Sequence, residues 1–163
     1  MLLFWEHGYE QTSIGDLAQE LGISGPSLYA ASGDKRMLFE EAAGCYEANP
    51  ESVTTAGTAG ASEREVLRFM FERVSDEYTS MAHPRGCLVN SAPELAGNRA
   101  DNSAITATQL KEVPGSAGAN RDPETLAAFA HVLLVALSSY ARDGASEEQF
   151  HRVSDLVLTV IQE

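Results

Sequence analysis

The chain of 163 residues holds 24 acidic residues against 11 lysines and arginines, a formal net charge of −13, and 44% of it is apolar. That apolar share supports a packed interior and excludes general disorder. So negative a charge, with no Lys or Arg before Lys35, argues against a nucleic-acid partner, because phosphate neutralisation supplies most of such affinity.

In chain order the pattern is helical throughout, and strand signals are scarce. The opening residues lack the basic segment and cleavage site of a secretory signal, so a cytoplasmic location is expected. Ile14, Leu17, Ala18 and Leu21 recur at three- and four-residue steps, which predicts one inward face, and Thr12 and Ser13 are its candidate caps. Gly22 can take the left-handed conformation that turns the chain, and Ile23 is expected to plug that turn. Ser24 then caps a second short helix, with Pro26 tolerated in its first turn and Leu28 directed to the core. Two short helices joined by a tight Gly-containing turn make a helix-turn-helix, whose second helix can present its N-terminal side chains to a major groove.

A longer helix is expected over 34–47, then a Gly/Thr/Ala-rich loop through residue 61. Ser62 with Glu65, and Ser146 with Gln149, fit the capping box, and Asp122-Pro123 reads as a cap with a first-turn proline. These bound helices over about 63–81, 123–142 and 147–162. Two weaker segments lie between 86 and 113, and a second loop runs from 113 to 120. The run from Leu126 to Leu137, interrupted by His131, is too short for a membrane span. No membrane partner is expected. The fold class is therefore all-α: an N-terminal three-helix domain with a helix-turn-helix over 1–48, and a C-terminal helical bundle over 49–163.

Gly8-Tyr9-Glu10-Gln11-Thr12-Ser13-Ile14-Gly15-Asp16-Leu17-Ala18 resembles the first turn and second helix of TetR-family transcriptional regulators. Leu21 through Tyr29 is similar to that family's turn and recognition helix, and Gly33 through Phe39 to the start of its fourth helix. Arg85 to Asn90 and Asp143 to Glu148 look like one subgroup's C-terminal domain. The family's first helix is entered partway, Ser32 stands where the family usually has an aromatic residue, and the segment around Val113-Pro114 is shorter than that subgroup's central helix.

The resemblance implies a double-stranded DNA operator as partner. Thr12 and Ser13 would contact phosphate at a helix N-terminus, Ser24, Gly25, Pro26 and Ser27 would face bases, and Tyr29 and Lys35 would bind phosphate. Opposing this, residues 1–48 set Lys35 and Arg36 against eight acids.

The C-terminal part supplies an expected effector pocket and a dimer seam. Phe69, Tyr78, Cys87, Asn90 and His131 are the candidate ligand contacts, in a helical domain whose cavities are mostly apolar with a few polar groups. Cys87 near Arg85 reads either as a small buried hydrophobe or as a thiol sensor with a lowered pKa. Leu126, Phe129, Leu133, Leu137 and Tyr140 form one apolar stripe, and Val153, Leu156, Val157, Val160 and Ile161 another. Together they predict a four-helix homodimer interface. Two distant cysteines and four scattered histidines offer no metal site, and no cofactor is expected. Neither a nucleophile triad nor a phosphate loop can be found, so an enzyme is not expected. The sequence thus reads as a ligand-responsive DNA-binding regulator, a repressor released by a small molecule. The alternative is a helical dimeric small-molecule-binding module that has lost DNA binding.

Overall fold

The computed structural model describes residues 1–49, 62–114 and 122–160. These form helices α1 (Leu2–His7), α2 (Ile14–Leu21), α3 (Gly25–Ser32), α4 (Lys35–Glu47), α5 (Glu63–Thr79), α6 (Leu88–Ser91), α7 (Ala96–Glu112), α8 (Pro123–Arg142) and α9 (Glu147–Val160), with a 3-10 turn at Pro93–Leu95. No strand occurs among the described residues.

Local chemistry sets most of the boundaries. Ser13 and Asp16 close a reciprocal capping box on α2, and Ser24, Asp34, Ser62 and Asp122 each accept a backbone N–H from the residue three positions on. Ser146 and Gln149 exchange the same pair of bonds at 2.7 and 3.3 Å. Gly22 ends α2 at φ 66°, ψ 27°, which reverses the chain into α3.

The core begins in the head, the unit formed by α1 to α4. Phe4 packs on Phe39, and Leu17, Ala18 and Leu28 are buried beside them. It continues without a break into the bundle of α5 to α9, where Leu67, Phe71, Val74, Leu110, Ala127, Ala130, Leu134 and Phe150 are wholly enclosed. α7 lies along α8, and α5 along α9. Leu21 and Ile23, expected inside, are instead exposed at 56% and 42%, on either side of the Gly22 turn. α8, with 20 residues, has the length and composition to cross a bilayer, which the apolar run from Leu126 to Leu137 understated. Its inner face nevertheless packs against α5, α6 and α7.

Polar straps tie head to bundle. The Arg142 guanidinium at the end of α8 donates to the carbonyls of Trp5 (2.9 Å) and Glu6 (3.3 Å) in the last turn of α1, where a cation meets the negative end of the helix dipole. Arg36 donates to the Glu94 carbonyl at 3.1 Å, and Glu47 accepts from Asn98 and Asn102 of α7, both at 2.8 Å. A further constraint sits between α5 and α6. Gly86 (φ 81°) lies so close to α8 that a Cβ there would stand 2.7 Å from the Ser138 carbonyl oxygen. The adjoining Cys87 N–H donates to Ser138 Oγ at 2.9 Å.

Candidate nucleic-acid interface

The exposed end of α3 is built by its own caps. Ser24 Oγ accepts the Ser27 N–H and lies 2.8 Å from Ser27 Oγ, so the two hydroxyls form one polar tip beside Gly25 and Pro26. Ser24, Pro26 and Ser27 are exposed, and Gly25 is half-buried. Tyr29, half exposed, stands one turn further along. Leu28 on the opposite side anchors the helix in the core. A short helix held from behind, with small hydroxyls at its free N-terminal end, can approach a groove closely and read base edges by hydrogen bonds.

Phosphate-side candidates fare unevenly. Thr12 is 1% exposed, and its hydroxyl is directed at the carbonyls of Gly8 (2.8 Å) and Leu3 (3.2 Å). Its expected phosphate contact is therefore corrected: Thr12 pins the α1–α2 turn. Ser13 is exposed, but its hydroxyl donates to Asp16 at 2.6 Å, and that bond holds the Asp16 carboxyl below its usual range. A fixed negative charge thus lies where a phosphate would approach α2. Lys35 places its ammonium 4.3 Å from the centre of the Tyr9 ring, and Arg36 pairs with Glu40 at 2.6 Å. Both head cations are engaged within the protein.

The five ligand candidates do not form one site. Tyr78, Cys87 and Asn90 come together: the Asn90 amide donates to Tyr78 Oη at 2.8 Å, and the Asn90 N–H points at Cys87 Sγ at 3.4 Å. Tyr46 and Glu77, which sequence reasoning missed, complete the cluster. The Tyr46 hydroxyl donates to Glu77 and lies 3.4 Å from Cys87 Sγ. Nothing in the local pattern distinguishes Tyr46 from an ordinary core aromatic.

His131 lies apart between α7 and α8, its Nε2 2.9 Å from Thr106 Oγ1. Burial pulls its pKa down to about 4. Phe69 is 43% exposed, whereas Tyr78 and Cys87 are buried. The sensor reading of Cys87 is corrected too. Arg85 turns its guanidinium to the carbonyls of Ala141 and Ala145, and burial pushes the Cys87 thiol pKa up.

The dimer stripes divide in the same way. Leu126, Leu137 and Val157 are buried inside the chain, so they belong to its own core and not to a seam. Leu133, Tyr140 and Val153 are half-buried against that core. Phe129 and Leu156 remain outside, joined by Val132 and Val135. Ile161 and the side chain of Val160 lie outside the described residues.

Comparison with known proteins agrees with this geometry. Residues 1–42 match the model of the bacterial regulatory proteins of the tetR family. The HTH-type transcriptional repressor ComR of Escherichia coli (strain K12) is 27% identical, over 97% of this chain and 83% of that protein. The uncharacterized HTH-type transcriptional regulator YezE of Bacillus subtilis (strain 168) is 36% identical over 58% of this chain and 53% of its own length. Among solved structures, a cysteine mutant of the TetR family transcriptional regulator CifR, complexed with 26-bp double-strand operator DNA, superposes with a TM-score of 0.83 at 29% identity. That match covers 97% of this chain and 90% of the other. The N-terminal part of the chain is a TetR-family domain, and the chain is a DNA-binding transcriptional regulator.

Proposed function

We propose that this chain is a cytoplasmic repressor that binds operator DNA as a homodimer and leaves it when a small molecule occupies the helical bundle. The observation that carries the reading is the free end of α3, where Ser24 and Ser27 stand exposed on a helix anchored by Leu28. Ser24, Gly25, Pro26 and Ser27 would meet bases, with Tyr29 on phosphate. The similarity to a regulator solved on its operator supports this role. Phe129, Val132, Val135 and Leu156 would be covered by a second copy, pairing α8 and α9 across a two-fold axis.

Release follows from differential affinity. α4 joins the head to the bundle, and Tyr46 on α4 bonds Glu77 on α5. A ligand favouring another tilt of α4 would move the two recognition helices off their groove spacing. By linkage, effector and operator then weaken each other's binding by the same factor. Selection of a preferred duplex from a random pool, followed by titration in increasing salt, tests the DNA half of the proposal. Absence of any selected sequence at low salt points to a helical module that no longer reads DNA. An effector whose affinity is the same with and without the selected duplex refutes the release mechanism.

A further inference from the structure

α3 lacks the side chains that usually read bases. From Gly22 to Gly33 the chain carries no Asp, Glu, His, Lys, Arg, Asn or Gln. In the major groove, guanine is held by the donors of Arg or Lys, adenine by the amide of Asn or Gln, and cytosine by a carboxylate. α3 offers none of these. Its hydroxyls discriminate weakly, because a serine can donate or accept. Two of them are partly spent on each other, Ser24 Oγ and Ser27 Oγ lying 2.8 Å apart, and Ser32 gives its proton to the Leu28 carbonyl at 2.8 Å.

What the free face does present is small and apolar. Leu28 is 3% exposed and marks the side of α3 held in the core, where the helix packs on α2 and α4. Pro26 and Ala30 each lie two residues from Leu28, about 160° round the helix from it. Both are exposed, and Ala30 stands one turn beyond Pro26. The centre of the outward face is thus a proline ring and a methyl group, with the Ser27 hydroxyl beside them. Thymine alone among the bases carries an apolar group in the major groove, its C5-methyl.

We propose that Ala30, with Pro26 before it, is a specificity residue that reads thymine through its C5-methyl group, so that each operator half-site presents at least one thymine methyl to the outward face of α3. This role rests on the reading of α3 as the recognition helix and names the base that its free face takes. Selectivity by methyl contact needs a close approach, which small side chains allow and a long charged one at either position would prevent. It also needs no cation, in keeping with a helix that has none.

The test uses the full chain and the duplex selected from the random pool, remade with deoxyuridine in place of each thymidine in turn. That change removes the methyl and leaves every hydrogen-bonding group of the base pair in place. At one or two positions of each half-site the loss should be about fourfold in affinity per methyl, and elsewhere there should be none. Ala30→Gly, checked for folding by circular dichroism, should bind the thymidine and deoxyuridine duplexes equally at one of those positions. A selected duplex whose affinity survives every deoxyuridine replacement overturns the proposal while leaving α3 a recognition helix. A methyl effect undiminished in Ala30→Gly overturns the role of Ala30. Failure to select any duplex at low salt overturns this role together with the reading on which it rests.

Discussion

At the scale of single residues, burial assigns roles that residue type leaves open. His131 lies on the inner face of α8, where the Thr106 hydroxyl is directed at the Asn102 carbonyl at 3.1 Å. The Thr106 oxygen is then left to accept a hydrogen bond from His131 Nε2–H, and burial keeps the ring neutral. With a folded pKa of about 4 against 6.5 for the free side chain, the unfolded chain takes up a proton between those values that the native chain does not. His131 therefore leaves stability unaffected above pH 6.5 and lowers it as pH falls from 6.5 to 4, by up to about 3 kcal/mol. Urea midpoints at pH 7 and pH 4.5 for the native chain and His131→Gln check this. The glutamine variant should lose less stability between the two pH values. Identical losses would show that the imidazole does not titrate in that window.

At the scale of elements, α2 and α3 each rest on one cap and one buried face, which is why the helix-turn-helix was legible in the sequence. Capping needs only neighbours three residues apart, so Ser24, Ser62, Asp122 and Ser146 could be placed without knowing the fold. Which side of a helix meets the core is decided by distant residues, and there the reading was weaker. Thr12 looked like a cap and serves as a pin, because Leu3 and Gly8 offer carbonyls just where its hydroxyl lands. The apolar stripe of α8 is wide enough to serve two faces, and only packing against α5, α6 and α7 separates buried Leu126 and Leu137 from exposed Phe129 and Val132. Trp5, Tyr46 and Glu77 meet across α1, α4 and α5, a juxtaposition that no local pattern encodes.

The tip of α3 offers a clean separation of cap from reader. Ser24→Ala removes the acceptor of the Ser27 N–H and should cost about 1 kcal/mol of stability as well as DNA affinity. Ser27→Ala keeps the cap and should leave the thermal midpoint unchanged while relaxing sequence preference. Paired melting and duplex-competition assays distinguish them. Equal destabilisation by both would mean that the two hydroxyls act only as a structural pair.

At the scale of the whole molecule, the outer face of α8 and the electrostatics of the head set what the protein can do with DNA. Val132 is 67% exposed and Leu156 65%, too far out to hold the chain's own core together. Val132→Asp should therefore leave the helical content intact while light scattering reports monomers in place of dimers. DNA affinity should fall with it, since a monomer places only one recognition helix. A variant that remains dimeric would move the seam to another face.

The head's charge carries the final expectation. Through residue 48 it has two cations, Lys35 over Tyr9 and Arg36 paired with Glu40, among eight acids. A dimer then brings four head cations to the duplex, and each phosphate neutralised contributes about 0.9 to the slope of log affinity against log salt. The slope for this chain should be no steeper than about −4, well short of what six to ten phosphate contacts would give. Selectivity at the α3 tip must then rest on hydrogen bonds and fit to the groove, which salt weakens little. Glu40→Gln removes the carboxylate that holds Arg36 and should steepen the slope by up to about 2 units per dimer, raising affinity most at low salt. A native slope near −8 would show that cations of the bundle also reach the phosphates and that the head does not bind alone. An unchanged slope in the glutamine variant would show that Arg36 stays on the Glu94 carbonyl and takes no part in binding DNA.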